Sequence, residues 1–176
     1  KDINVIENIS DIPSDHVVYL SNPFSASGRY DSRYDEISNP LILDVAYVGT
    51  TDLRTIEVRD NVEQVFWSGS KACGLGNLRS GYKFMRYPDP LQEQIKDLGY
   101  NNIASIRALS EALACADVTA RWHLVRGIYL RLCDDCSLMP SDTYLIATTT
   151  DQQYLQFMRE DGTIRIPTGR ILEELI

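Results

Sequence analysis

Cysteine and long apolar runs are scarce in this sequence of 176 residues. Its 4 cysteines are too few for a disulfide scaffold in a chain of this length, and we expect no signal peptide at Lys1. We therefore expect a reducing, cytoplasmic setting. No apolar run approaches the roughly 20 residues of a transmembrane helix, so a membrane protein is not expected.

Positively charged residues are fewer than negatively charged ones. Lys and Arg total 17 against 25 Asp and Glu, which gives a formal net charge of −8. Such a balance repels phosphate backbones, so we expect neither nucleic acid nor an anionic membrane as a partner. A hydrophobic fraction of 44% with 24% charged residues is typical of globular proteins and excludes disorder. Because the chain opens on Lys1 rather than Met, we expect a piece of something longer.

Short apolar segments rich in β-branched and aromatic residues occupy the first half of the chain. The segments His16–Leu20 and Leu41–Val45 are too short for helices and are predicted to be buried strands. Two further strands are predicted at Thr55–Val58 and Val62–Trp67. A last one at Gly81–Met85 is expected to reverse direction after a glycine-containing loop.

Helical periodicity replaces this pattern from Pro90 to about Leu132. One apolar stripe recurs at helical spacing and comprises Ile103, Ile106, Leu109 and Leu113. A second stripe follows Asp117, a residue suited to cap a helix, and comprises Val118, Trp122, Val125, Tyr129 and Leu132. Both stripes predict helices that bury one face.

The C-terminal part is predicted as a strand at Tyr144–Ala147, a helix at Asp151–Arg159 and a strand at Thr163–Ile166. Strands first and helices later indicate an α/β fold. We expect a mainly parallel sheet flanked by helices, then a helical linker and a small α+β piece. The predicted boundaries are residues 1–100, 101–132 and 133–176.

One lysine stands where a buried strand opens into a glycine-rich loop, in the segment Ser68-Gly-Ser-Lys71. Burial there lowers a lysine's pKa and favours the neutral amine, the form that makes a Schiff base. Ser68 and Ser70 place hydroxyl donors beside Lys71. Arg79, eight residues further on, offers a planar fork suited to phosphate.

An acid and a phenol follow another predicted strand. Asp44 ends the strand that begins at Leu41, and Tyr47 comes three residues later. A carboxylate at a strand end can keep a ring nitrogen protonated, and a nearby phenol can donate a hydrogen bond to a ring oxygen.

Three segments in this order carry a family resemblance: Ser21-Asn-Pro-Phe-Ser-Ala-Ser-Gly28, Asp44-Val-Ala-Tyr47, and Ser68-Gly-Ser-Lys71 with the chain on to Tyr82. The sequence resembles the fold-type-I pyridoxal-phosphate (PLP) enzymes, specifically the class I/II aminotransferases. The resemblance is strongest from about His16 to Pro88. Each motif alone is weak, and their order and spacing make the signal specific.

The resemblance implies PLP as cofactor and a role for each matching residue. Lys71 matches the catalytic lysine that holds PLP as an internal aldimine. The other cofactor-binding residues implied are Asp44 for the pyridinium nitrogen, Tyr47 for the phenolic oxygen, and Ser68, Ser70 and Arg79 for the phosphate. Of the two serines, Ser68 has the more usual spacing. Ser25 stands where the family's cofactor-contacting Asn usually lies, and Ala26 replaces a proline. Asn22 is near in sequence but is not the matching position.

The resemblance leaves the substrate and the reaction open. Under one alignment the substrate-carboxylate arginine is absent, and under a rival alignment it is Arg165. The implied activity is amino-group transfer on an amino acid or amino sugar, in a homodimer, with an N-terminal portion missing or supplied by a second chain. The alternatives are another fold-type-I PLP reaction (a lyase, decarboxylase or synthase), or an inactive aminotransferase-like subunit.

No metal site is expected. Cys133 and Cys136 form a Cys-x-x-Cys pair, but no second pair and no histidine lie close in sequence. A helix end with partly buried thiols explains the pair better.

Overall fold

The structure is a computed structural model of the whole chain. It describes residues 5–6, 8–52, 56–99, 102–115 and 117–175, the side chains of residues 118, 119 and 173–175 excepted. None of the helices in that part of the chain is long and apolar enough to cross a lipid bilayer.

A four-stranded sheet forms the first half. Its strands are β1 (Val18–Ser21), β2 (Leu41–Asp44), β3 (Val62–Ser68) and β4 (Gly81–Met85), in that spatial order. The first three are parallel, and β4 runs antiparallel to β3. The prediction of a mainly parallel sheet, with a reversal at its last strand, is therefore confirmed. Short 3-10 helices at Ile9–Asp11 and Ser32–Asp35 precede β1 and β2.

The core of this sheet lies on one face. Leu20, Leu41 and Leu43 pack there against Tyr34 and Ile37. The opposite face is open, and Tyr19 on it is 62% exposed. Alternation along each strand places these residues on opposite faces.

The prediction of a strand at Thr55–Val58 is wrong for residues 56–58, while Thr55 lies outside the described residues. The backbone there is held by side chains instead of a strand ladder. The Tyr34 hydroxyl donates to the carbonyl of Glu57, and the Arg59 guanidinium donates to the carbonyls of Tyr34 and Ile37. Both long edges of β2 are already paired, so no strand position is left beside it.

Helices dominate the middle of the chain: α1 (Gly69–Ala72), α2 (Pro90–Asp97), α3 (Ile103–Cys115) and α4 (Val118–Asp135). The Asp117 carboxylate caps α4 by accepting from the backbone N–H of Ala120 at 2.9 Å, as predicted. Trp122, Val125 and Tyr129 of the second stripe are buried. Val118 of that stripe lies outside the described side chains.

The stripe predicted to be buried on α3 is largely exposed. Ile103 is 75% and Ile106 51% exposed, whereas Leu109 is 3% exposed. The buried side of α3 is set by Ser105 and Leu109, because the Ser105 hydroxyl donates to the carbonyl of Leu78 at 2.7 Å. Hydrophobic spacing alone placed the buried face of this helix incorrectly.

A three-stranded antiparallel sheet forms the C-terminal part, from β5 (Met139–Pro140), β6 (Ala147–Thr149) and β7 (Ile164–Ile166). Helix α5 (Thr168–Leu175) follows. Residues 144 and 145 belong to a turn and residue 146 to no element, so the strand expected at Tyr144–Ala147 lies further along the chain. The helix expected at Asp151–Arg159 is a 3-10 helix at Gln152–Phe157. This sheet packs on α4 around Tyr129.

The two halves of the chain meet along a polar seam, which we define as residues 28–30 and 50–52 against residues 141–144. The backbone N–H of Tyr30 donates to the Asp142 carboxylate at 2.6 Å. The buried hydroxyls of Thr50 and Thr143 share a hydrogen bond of 2.7 Å. Tyr47 precedes one side of the seam and Tyr144 belongs to the other, and both residues line one cavity. The seam therefore sets the position of these two residues relative to each other.

Candidate functional site

A cavity of about 570 Å³ lies between α1 with its following loop, α4, and the C-terminal strand β7 with α5. Tyr47, Ser70, Lys71 and Arg165 line it. Its volume is in the range of pockets that bind small molecules or cofactors. The lysine, phenol and serine hydroxyl of the sequence prediction therefore share one cavity with the arginine of the rival alignment.

Lys71 lies in the single turn α1, which begins where β3 ends. The Ser68 hydroxyl accepts from the backbone N–H of Ser70 at 3.2 Å, and this bond caps α1. Burial lowers the pKa of Lys71, and the positive charges of Arg165 and Arg79 lower it further. A larger share of Lys71 is therefore neutral at a given pH than of an ordinary lysine, although its side chain stays accessible.

Tyr47 is placed by the turn that follows β2. Its carbonyl accepts from the Thr50 hydroxyl at 2.7 Å, and its own side chain is buried. The Lys71 ammonium lies 5.6 Å from the centroid of the Tyr47 ring. Arg165 reaches the same phenol from β7, where its Nη2 donates to the Tyr47 oxygen at 3.2 Å.

Two buried polar atoms that line this region have no hydrogen-bond partner within the described structure. They are the hydroxyl of Ser70 and Nε of Arg165. An unpartnered buried polar atom costs about 1–3 kcal/mol. Both belong to residues that line the cavity, and a polar or anionic group is the kind of partner that they lack.

Asp44 lies at the end of β2, outside the cavity lining among the described residues. Its carboxylate accepts from the backbone N–H of Ala46 at 3.0 Å and from the Tyr19 hydroxyl at 2.7 Å. Burial and this bond to Asp44 raise the pKa of Tyr19 to about 12. Tyr19 therefore stays a donor to Asp44 at all ordinary pH values.

Tyr19 was not identified from the sequence. The sequence did carry a signal for it. Ser21 pairs with Asp44 across the two parallel strands, and Tyr19 is the aromatic residue two positions before Ser21. Residues two apart in a strand share a face.

The remaining predicted residues are dispersed around this center. Ser25 is exposed and lies outside the described cavity lining. The buried Asn22 cannot replace it, because its side chain is held by both backbone polar groups of Asp31. Arg79 is exposed, has a φ of 50°, and is close enough to Lys71 to lower its pKa.

Two further arginines line the cavity and were not identified from the sequence, Arg121 of α4 and Arg170 of α5. A signal for Arg121 is its place four residues before Val125, since residues at this spacing share a helix face. For Arg170 the sequence carried no comparable signal.

Comparison with known proteins gives structural matches only. No family profile matches the chain, and no curated protein matches it. Among solved structures, the fold is similar to the L-threonine-O-3-phosphate decarboxylase of Porphyromonas gingivalis, with a TM-score of 0.57 and 17% identity. The match covers 96% of this chain and 66% of that one.

Two further structures support the same fold. The PLP-bound C-S lyase of Staphylococcus hominis matches with a TM-score of 0.67 and 15% identity, over 94% of this chain and 56% of that one. The histidinol-phosphate aminotransferase of Sinorhizobium meliloti, in complex with pyridoxal-5'-phosphate, matches with a TM-score of 0.56 and 21% identity. That match covers 91% of this chain and 58% of that one.

The chain thus spans between 56% and 66% of the length of these three structures. Their likeness extends over both sheets and the helices between them, since more than nine-tenths of this chain is matched. The chain therefore has the fold of the fold-type-I PLP enzymes, which confirms the resemblance of its motifs at the level of the fold.

Proposed function

We propose that this chain is the lysine-bearing part of a PLP-dependent aminotransferase that acts on an amino acid or amino sugar. One observation carries the proposal. Lys71, with a lowered pKa, shares a cavity with the Tyr47 phenol, the unpartnered Ser70 hydroxyl and Arg165. The fold likeness supports it but does not by itself define a reaction.

The residues present fit PLP by their donors. PLP carries an aldehyde, a phenolic oxygen, a ring nitrogen and a phosphate, and each needs a different group. Lys71 supplies an amine, Tyr47 a phenol and Ser70 a hydroxyl to the cavity. The carboxylate of Asp44 and the guanidinium of Arg79 lie outside its described lining. The unpartnered hydroxyl of Ser70 is the strongest sign, because a buried donor normally has an acceptor.

Binding and orientation fall to the residues around the cavity. Ser70 and Arg79 would hold the phosphate, and Ser68 fixes Ser70 by capping α1. Tyr47 would donate to the phenolic oxygen. Asp44 would hold the proton on the ring nitrogen, with Tyr19 keeping the carboxylate in place.

Proton transfer would be the task of Lys71. Bound PLP supplies the electron sink that stabilises negative charge on the substrate's α-carbon. The Lys71 Nζ, as a free neutral amine, would take the proton from that carbon. A lowered pKa suits this role, because a general base must be neutral before it accepts a proton.

Arg165 would bind the substrate carboxylate. Its Nη2 already donates to Tyr47, and its buried Nε–H has no described acceptor and could donate to an anionic partner. This favours the rival alignment over the one in which the arginine is absent.

The partner is part of the same proposal. A further chain portion or a second subunit, in a homodimer, would cover the open face of the first sheet. The support is the exposed Tyr19 ring beside Asp44, since parallel sheets are normally covered on both faces. Analytical ultracentrifugation at micromolar concentration is expected to give the mass of a dimer, and a monomer would contradict this part.

A second candidate is decarboxylation or elimination with the same residues. The likeness to a decarboxylase and a C-S lyase favours it. Product analysis separates the candidates, because transamination gives an oxo acid with one equivalent of pyridoxamine phosphate. Decarboxylation and elimination leave PLP in its original form.

The test of the proposal is cofactor loading. Added PLP is expected to give a visible absorption band, and borohydride is expected to bleach it and fix the cofactor on one lysine. The variant Lys71→Ala should give no band. The matched control is Lys96→Ala, because Lys96 is an exposed lysine on α2.

Two outcomes would contradict the proposal. One is loading of the Lys71→Ala variant to the same extent as the native chain. The other is a fully folded dimer that takes up no PLP, which would favour the inactive, aminotransferase-like subunit.

A further inference from the structure

Two cysteines lie three residues apart at the C-terminal end of α4, and the proposed function gives neither of them a role. Cys133 is 2% exposed, whereas Cys136 is exposed at the helix C-cap. Side chains three residues apart in an α-helix are neighbours on its surface. Burial raises the pKa of the Cys133 thiol, the nearby Tyr129 hydroxyl opposes this rise, and the charge of Cys136 adds to it. The two thiols are therefore close enough to interact and form one site.

The backbone at the end of α4 sets the geometry of this pair. The N–H of Cys136 donates to the carbonyl of Leu132 at 3.1 Å, and its φ of −99° and ψ of 6° depart from those of a regular helix. Ser137 follows with a φ of 52°, and the N–H of Leu138 donates to the carbonyl of Cys133 at 2.7 Å. Cα atoms three residues apart in a helix are about 5 Å apart, a separation that a disulfide spans.

A disulfide between the two cysteines requires their Cβ atoms to approach each other. Helix residues three apart have Cβ atoms about 5–6 Å apart, whereas a disulfide joins Cβ atoms about 3.5–4.5 Å apart. Because Cys136 is the cap, it can move toward Cys133 without unwinding a regular helical turn. A disulfide closed in this way is strained, and strained disulfides are readily reduced again.

Cys133 also takes part in the packing of the C-terminal sheet on α4. Its thiol lies beside the Tyr129 hydroxyl, in the cluster of buried residues that joins the helix to the sheet. That hydroxyl donates to the carbonyl of Ile146 and accepts from the backbone N–H of Ser141, both at 2.7 Å. Turning the Cys133 sulfur toward Cys136 would leave a gap beside Tyr129 in a closely packed region.

We propose that Cys133 and Cys136 form a reversible disulfide on reaction with a small-molecule disulfide, and that this bond loosens the packing of the C-terminal sheet on α4. The accessible Cys136 loses its proton and its sulfur attacks one sulfur of the small disulfide, whose S–S bond breaks and releases one thiol. The Cys133 sulfur then loses its proton and attacks Sγ of Cys136, which releases the second thiol. Two protein thiols are thus oxidised while one small disulfide is reduced to two thiols.

The test exposes the reduced chain to oxidised glutathione. Remaining thiols are alkylated, and the chain is digested with trypsin for mass spectrometry. Trypsin releases residues 132–159 as one peptide, because no Lys or Arg lies between its ends. A disulfide within the pair then appears as this peptide with two hydrogens fewer and no alkyl group. Cys115 is exposed and has no cysteine three residues away, so it should retain glutathione instead. Dithiothreitol should restore all thiols.

Matched variants separate the roles of the two cysteines. In Cys136→Ser, the buried Cys133 should remain a free thiol, whereas in Cys133→Ser we expect Cys136 to retain glutathione. Oxidation should lower the urea midpoint of the native chain further than that of Cys136→Ser. This variant changes an exposed side chain and keeps Cys73 and Cys115, so it corrects for their modification.

Two results would overturn the inference. One is a native chain in which Cys133 remains a free thiol, whether Cys136 is also free or retains glutathione, because the two sulfur atoms then do not meet. The other is an equal shift of the urea midpoint in the native chain and Cys136→Ser, because the bond then leaves the C-terminal packing intact. Neither measurement requires PLP, so this inference stands or fails separately from the proposed function.

Discussion

The polar seam gives a prediction whose size follows from the structure. Gly28 has a φ of +70°, and a Cβ added there would lie 2.5 Å from the Ser141 hydroxyl and 2.9 Å from Cγ2 of Thr143. The hydroxyl cannot move away easily, because it lies 2.9 and 2.7 Å from the carbonyl oxygens of Thr143 and Ile146, which share its one hydrogen. Gly28→Ala should therefore force the two halves of the chain apart.

The expected cost has two parts. A left-handed backbone conformation costs a non-glycine residue about 1–2 kcal/mol, and forcing a carbon into a packed site adds about 1–3 kcal/mol. We expect Gly28→Ala to lower the free energy of unfolding by about 2–5 kcal/mol. The matched control is Gly162→Ala, where φ is +81° and no described atom lies within 4 Å of the added Cβ.

Urea unfolding followed by circular dichroism measures both variants. Gly162→Ala should lose about 1–2 kcal/mol, the conformational part alone. The difference between the two losses of unfolding free energy then measures the cost of the close contact across the seam. Equal losses in Gly28→Ala and Gly162→Ala would refute the close approach of residue 28 to residues 141 and 143.

Two further predictions concern the amine and the C-terminal core. Because the pKa of Lys71 is lowered, its acylation should reach its midpoint at a lower pH than acylation of a free lysine peptide. Arg165→Gln removes a positive charge and should shift the Lys71 midpoint to higher pH. Peptide mass spectrometry measures both, and equal midpoints for Lys71 and the free peptide would contradict the lowered pKa. The backbone N–H of Ser141 donates to the Tyr129 hydroxyl at 2.7 Å, and Tyr129→Phe removes this acceptor. We expect the variant to lower the free energy of unfolding in urea by about 1–3 kcal/mol. A loss below about 0.5 kcal/mol would argue against the buried hydrogen bond.

The first sheet could be predicted from the sequence because its signals are local. Strand β2 is an apolar run that ends at Asp44, and β3 ends with the apolar run Val65–Trp67 before Ser68. Parallel strands end at the same edge of a sheet. Lys71 and Tyr47 follow those two strands, which explains why they meet. Ligands of open α/β sheets bind at that edge.

Elements whose position depends on distant partners were predicted less well. The spacing of Ile103 and Ile106 on α3 indicates an apolar face, but it cannot tell whether any part of the fold covers that face. Segment 56–58 shows the opposite case. Its composition is that of a strand, yet it forms no ladder. The Tyr34 hydroxyl donates to the carbonyl of Glu57, and the Arg59 guanidinium donates to the carbonyl of Tyr34.

The spacing of Arg121 from Val125 places it on one face of α4, but the sequence could not show that this face, or Arg170, lies beside the cavity. Their approach depends on how the C-terminal half docks, and contacts such as that of Tyr30 with Asp142 join residues 112 apart in sequence. Arg165 was identified through a resemblance, and its bond to Tyr47 spans 118 residues. Local pattern carries no information on contacts of this range.

The covalent attachment of PLP tests the central claim most directly. The native chain, incubated with PLP, reduced with borohydride and digested, should yield the phosphopyridoxyl mass on the peptide that contains Lys71. Recovery of that mass mainly on other lysines, with Lys71 unmodified in folded protein, would contradict the account.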